Sequence, residues 1–239
     1  MSPHAKEGRR TWAGLKSNVN IQNQEHQVQT WLKKVFKHPQ LLEMGHSQTA
    51  IDQNLGLGWL YYSQVRLIKP KTIVCIGSWR GFVPIVLAKG LKDNANGGKL
   101  HFIDPSLADD FWTNPAKNAK WFGSFGLDNI HHHLATTQEF VSMPAYKKIK
   151  KVGLLFVDGY HSAKQAQFDH EAFESVLTSD ASIFFHDSIR KMTSRIYGVD
   201  KPYNHSVYSY MRKLKKRSDL QCIDFDYGSG VTLVRKSSS

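Results

Sequence analysis

The run Thr72-Ile73-Val74-Cys75-Ile76-Gly77-Ser78-Trp79-Arg80-Gly81-Phe82 leads from an apolar, strand-like stretch into a helical one through two glycines. Glycines let the chain turn sharply and let a ligand approach the backbone beside the amides of a helix N-terminus. The next strand-like run, Lys99-Leu100-His101-Phe102-Ile103, ends in Asp104, 23 positions after Gly81. That is near the spacing of roughly 20 at which an acidic residue reaches ribose hydroxyls in strand–glycine–helix folds. A carboxylate accepts both hydroxyl protons, which a neutral or cationic side chain cannot do. Three residues, not one, separate Gly77 from Gly81, so the three-glycine dinucleotide fingerprint is missing, which argues against a nicotinamide cofactor.

Working outward, apolar runs and helical patterns keep alternating. A helix is expected to about Leu91 and another around Trp112 and Trp121. Strands follow at Ile130–Leu134, Val152–Val157 and Ala181–Phe185, with a helix from about Ser162 to Leu177 between the last two. Continuous apolar runs interleaved with helices imply a parallel sheet covered on both faces. Gln221–Tyr227 and Gly230–Arg235, joined by Gly228-Ser229, have the pattern of an antiparallel hairpin. Before the glycine turn, Val28, Trp31, Leu32, Val35 and Phe36 recur at helical spacing, and a second helix is expected from about Thr49 to Leu67. The predicted fold is α/β: a Rossmann-like, mostly parallel seven-stranded sheet with helices on both faces, an N-terminal helical cap and an antiparallel C-terminal hairpin. Residues 1–24 form a basic lead-in, 25–68 the cap and 69–239 the ligand-binding domain.

Composition narrows the classes. With 239 residues, 41% of them hydrophobic, the chain can build one sizeable core. No apolar run reaches the length of a membrane span and the first 20 residues are polar and basic, which points to the cytoplasm. Two cysteines, Cys75 and Cys222, cannot make a disulfide framework or a cysteine zinc site. The net charge of +12 attracts anions, with local runs at Lys147–Lys151 and Arg212–Arg217, but it is a field and not a site. Val207, Tyr210, Met211 and Leu214 predict that the second run belongs to a helix packed on the sheet with its charges solvated.

Three motifs then stand in order: Ile76-Gly77-Ser78-Trp79-Arg80-Gly81, Phe156-Val157-Asp158-Gly159-Tyr160-His161-Ser162 after the fourth strand, and His186-Asp187 after the fifth. The chain resembles class I S-adenosylmethionine-dependent methyltransferases over about Leu67–Arg235. The likeness is to the branch with Asp-Gly-x-His-Ser after strand four, the methyltransferase-24-like small-molecule O-methyltransferases. The resemblance implies that Gly77, Ser78, Trp79 and Gly81 border the methionine end of S-adenosylmethionine, Asp104 holds its ribose, and Thr136-Thr137 its adenine, with Thr137 the contact. Asp158 would lie near sulfonium and acceptor. Many members carry an acidic residue where this chain has Cys75.

Asp158 and Asp187 are expected at the ends of adjacent strands, where open α/β sheets bind ligands. Paired carboxylates there could hold Mg²⁺, as in some relatives, and lower an acceptor hydroxyl's pKa. His161 and His186 flank the same edge, and either imidazole could take a proton at physiological pH. These two and Asp158 are the candidate catalytic residues. Consecutive residues of a strand face opposite ways, so His131-His132-His133 is not expected to bind a metal. The loop Ser188–Asn204, with Arg190, Lys191, Arg195, Tyr197 and Tyr203, favours an anionic or aromatic acceptor. The expected reaction is methyl transfer to an oxygen, ahead of a nitrogen, of a small acceptor. The alternatives are a basic nucleic-acid-binding protein or nucleic-acid methyltransferase on the same fold, and a nicotinamide-dependent oxidoreductase.

Overall fold

The computed structural model describes residues 21–43 and 45–237. Most of the predicted lead-in, residues 1–20, lies outside them. Helix α1 spans Ile21–Val35, so helix begins ahead of the predicted boundary at residue 25. Helix α2 runs only from Gly58 to Ile68, shorter than the Thr49–Leu67 expected. The reason is local competition for the backbone. Thr49 and Asn54 exchange backbone hydrogen bonds at 3.0 Å, Asp52 Oδ1 accepts from Asn54 N–H, and Asn54 Oδ1 accepts from Gly56 N–H. Gly56 then takes φ +56°, and the turn leaves Ile51 in solvent.

The sheet comprises β1 (Thr72–Ile76), β2 (Lys99–Ile103), β3 (Ile130–His133), β4 (Val152–Val157), β5 (Leu177–His186), β8 (Leu220–Phe225) and β9 (Val231–Lys236). Its order is β3-β2-β1-β4-β5-β9-β8, with the first five strands parallel and the terminal hairpin antiparallel. A separate ribbon pairs β6 (Met192–Ser194) with β7 (Tyr203–His205); the expectation of an open loop here did not include it. Helices α3 (Phe82–Asn94), α4 (Pro115–Ser124), α5 (Thr137–Phe140), α6 (Pro144–Lys147), α7 (Ala163–Glu174) and α8 (Val207–Leu214) complete the chain.

The period-two alternation of a strand explains the two cores. From β1, Ile73 and Cys75 enter a cluster with α2 and α3 that includes Tyr61, Leu87, Phe102 and Phe156. Val74 and Ile76 face the other way, toward Phe173, Tyr210 and Met211 on α7 and α8. The charges of α8 lie outside this packing: its Val207, Tyr210, Met211 and Leu214 are buried. In register, Ile76 pairs with Ile103 on one side and Val157 on the other, and Val157 with Phe185. The carboxyl ends of β1, β2, β4 and β5 are therefore level. Chain order reverses between β1 and β4, which makes this edge the switch point at which such sheets bind ligands.

Candidate active site

One cavity of about 590 Å³ opens along that edge and reaches from the glycine turn to the residues after β4 and β5. At its first end the backbone sets the shape. Gly77 has φ +75°, and a Cβ there would stand 2.0 Å from the carbonyl oxygen of Asp158, so the β1 and β4 exits meet over a residue with no side chain. Gly81 caps α3 at φ +84° against the Trp112 ring. The turn between them is pinned by indoles: Trp112 Nε1–H donates to Trp79 O and Trp121 Nε1–H to Arg80 O, each at 3.1 Å. Arg80 stacks over Trp79 and pairs with Asp109 at 2.6 Å.

Asp104 lines the same end. Its Oδ1 accepts from Ser106 N–H at 2.7 Å, and burial pushes its carboxyl pKa up to about 6. Thr136 caps α5 reciprocally with Glu139, which presents buried Thr137 to the cavity beside Asp169 of α7. Cys75 is buried in the α3 core and lies outside the cavity lining.

The second end is built from side chains. Asp158, His161, His186 and Asp187 meet there, as the sequence places them, and two residues join that it did not single out, His46 and His205. His186 Nδ1 stands 2.7 Å from Asp158 Oδ1 and 3.3 Å from Asp187 Oδ1. On the far side of Asp187, His205 Nδ1 is 2.6 Å and His161 Nδ1 3.4 Å from Oδ2. The His161 and His205 rings stack with centroids 4.5 Å apart, and those of His46 and His186 lie 4.3 Å apart. His161 and Asp187 take left-handed φ of +46° and +52°, strain of about 1–3 kcal/mol each that the surrounding packing must hold.

Charge is divided unevenly over this cluster. Burial works against the His186 cation, but the charges of Asp158 and Asp187 outweigh it and raise its pKa to about 9. For His46, burial and the neighbouring His186 lower the pKa to about 3. Burial also lowers His161, opposed by the two aspartates. Asp187 is held far below the carboxylate range: the His186 charge and the His205 contact overcome its burial. Asp158 is lowered in the same way by His186. The two carboxylates thus share a site, but the groups nearest each are imidazoles. Mg²⁺ takes oxygen ligands, so this donor set does not fit the Mg²⁺ that the paired carboxylates could have held.

His131-His132-His133 is elsewhere. His132 bonds Asn118 and the Asp104 carbonyl, and His133 stacks with His101.

Residues 74–188 match a family model described as a methyltransferase domain. Over those residues the chain is similar to methyltransferase domains. No curated protein matches it in sequence. Among solved structures it is similar to the O-methyltransferase TomG of Streptomyces achromogenes, described as involved in tomaymycin synthesis and bound to S-adenosylmethionine. That likeness has 17% identity and a TM-score of 0.58, over 87% of this chain and 89% of that one. It is also similar to an O-methyltransferase of Bacillus cereus in complex with S-adenosylhomocysteine (13%, TM-score 0.59, 89% and 90% covered). A third is an S-adenosylhomocysteine-bound methyltransferase of Podospora anserina (13%, TM-score 0.56, 92% and 97%). At these identities the likenesses speak for the fold, and the seven-stranded order agrees with the Rossmann-like methyltransferase fold. Among the described residues, no helix is long and apolar enough to cross a membrane.

His46 and His205 could not be found from the motifs. His46 precedes the matched domain, and His205 sits on a three-residue strand whose pairing no periodicity announces.

Proposed function

We propose that this methyltransferase transfers the methyl group of S-adenosylmethionine to a hydroxyl oxygen of a small, aromatic acceptor. The observation that carries the reading is the single cavity joining the Gly77–Gly81 turn and Asp104 to the buried imidazole–carboxylate cluster. In this reading Gly77, Ser78, Trp79 and Gly81 border the methionine moiety, Asp104 accepts from both ribose hydroxyls, and Thr137 flanks the adenine. The acceptor enters beneath Tyr160, Tyr197 and Tyr203, whose rings pack against one another with centroids 5.0–5.7 Å apart. Such a wall favours a flat ring over a chain.

Methyl transfer is an in-line displacement: the new O–C bond forms as the S–C bond breaks, and the sulfur leaves as a neutral thioether. The cofactor brings its own leaving group, so the protein's tasks are to align the two reactants and to accept the hydroxyl proton. His161 is suited to the second. Its imidazole is kept neutral by burial and stands 3.4 Å from Asp187, which orients it and stabilises the imidazolium that forms. Asp158 and His186 form a contact pair beside it, and the carboxylate charge lies where the sulfonium would sit.

The reading is tested by incubating the purified protein with S-adenosylmethionine labelled in its methyl group and a panel of phenols, catechols, aliphatic alcohols and amines. Label transferred to a phenolic oxygen, and lost in His161→Ala, is the expected result. Transfer confined to amines, or to none of the panel with the cofactor bound, would overturn the assignment of acceptor.

A further inference from the structure

Mg²⁺ is a poor match for a cavity end lined by four imidazoles, and two subsets of these side chains, His46–Asp158–His186 and His161–Asp187–His205, are gathered closely enough to hold a metal ion; the first has the more buried imidazoles. His46, Asp158 and His186 can each bring one ligand atom so that all three atoms lie within 4.8 Å of one another. They come from three separate parts of the chain and are all withdrawn from solvent: His46 is 2% exposed and His186 6%, and the Asp158 side chain 8%. The His186 Nδ1 atom is the decisive one. It lies 2.7 Å from Asp158 Oδ1 and 3.3 Å from Asp187 Oδ1, yet out of line for a hydrogen bond to either. A buried ring nitrogen set against two carboxylates without a hydrogen bond to either needs a reason.

The outer nitrogens supply one. His186 Nε2 is engaged by Ser229 Oγ at 2.8 Å, and His46 Nδ1 by Tyr61 OH at 3.1 Å. Holding the far nitrogen of each ring with a hydroxyl fixes the ring's orientation and leaves its other nitrogen for a ligand, the arrangement that supports metal-binding histidines. The backbone is committed to the same end. Ser229 N–H donates to Gly45 O at 3.2 Å, and Gly228, at φ +59°, lies so close to Gly45 that a Cβ would stand 2.0 Å from its carbonyl oxygen. This clasp brings the residue before His46 against the partner of His186.

We propose that His46, Asp158 and His186 bind a divalent transition-metal ion, of the class of Zn²⁺, and not the Mg²⁺ that the paired aspartates allowed. Two imidazoles and one carboxylate suit Zn²⁺ and its neighbours in the first transition row, whereas Mg²⁺ calls for oxygens. Three protein ligands leave a coordination position for water or an acceptor oxygen on the cavity side. The inference deepens the proposed reaction at the same site, but its test does not pass through S-adenosylmethionine.

The full chain is stripped with chelator and dialysed against Zn²⁺ in the presence of a large excess of Mg²⁺, and bound metal is measured by mass spectrometry. In parallel the stripped protein is titrated with Co²⁺ and its visible d–d bands are followed. About one equivalent of Zn²⁺ retained against Mg²⁺, Co²⁺ bands in wild type, and at least a tenfold weaker Co²⁺ affinity in His46→Gln are expected. Wild type that retains no Zn²⁺, gives no Co²⁺ bands, or exchanges Zn²⁺ for Mg²⁺ would overturn the proposal whatever the variant does. Unchanged Co²⁺ affinity in His46→Gln would remove His46 from the site and overturn it as stated. Failure of the cofactor to bind leaves each of these readouts intact, so the two readings fail separately.

Discussion

The two ends of the cavity are made by different means. The Gly77–Gly81 end is a matter of backbone: two left-handed glycines, a carbonyl that any Cβ on Gly77 would overlap and a loop held by two indole N–H groups. The histidine end is a matter of side chains gathered from before α2, after β4, after β5 and from β7. A backbone site is specified locally and tolerates no added atom. A side-chain site depends on distant segments arriving together, and each member can be removed without blocking the others. Substitutions at the first end should therefore act on folding and cofactor binding, and those at the second on chemistry.

The largest effect that would break this contrast is at Gly77. Gly77→Ala puts a methyl group 2.0 Å from a backbone oxygen at positive φ, and we expect a loss of about 3 kcal/mol or more. For a chain of this size that is roughly a 10 °C fall in Tm, read by scanning calorimetry. An unchanged Tm would mean that the β1 and β4 exits are not in contact. Next is His161→Ala, for which kcat should fall by about 10²–10⁴ with KM for the cofactor little changed. A rise in KM instead would move His161 to the cofactor end.

A smaller effect follows from Asp104, whose pKa burial raises to about 6. Only the ionised carboxylate accepts from both ribose hydroxyls, so cofactor affinity should be full above pH 7 and weaken as pH falls through about 6. By pH 5 it should be down about tenfold, measured by calorimetry at both pH values in wild type, while Asp104→Asn should be weak at both and lose this dependence. The smallest effect belongs to the basic surface of α8 and the turn after it. Lys213→Ala with Lys216→Ala should leave Tm within about 1 °C and cofactor affinity unchanged; a clear loss of either would tie the α8 charges to the site.

The same contrast explains what could be read before the fold was known. The strand runs and the glycine turn were legible because each depends on residues adjacent in sequence, and the parallel order followed from their alternation with helices. The Thr49–Leu67 helix was overcalled because apolar spacing does not register the side-chain bonds of Asp52 and Asn54 that close the turn before Gly58. At the site, Asp158, His161, His186 and Asp187 lie beside strand ends and could be placed at one edge. His46 and His205 could not, because only the packed fold brings the segment before α2 and the β6–β7 ribbon to that edge. Nor does sequence indicate which nitrogen of a ring is left without a partner.

The central claim is that the first end of the cavity holds the sulfonium cofactor through Asp104. Calorimetric titration of the wild-type protein and Asp104→Ala with S-adenosylmethionine, and with NAD⁺ as a control, tests it directly. Binding of S-adenosylmethionine alone, weakened at least a hundredfold by the substitution, is the predicted result; binding of NAD⁺, or of neither, would contradict the account.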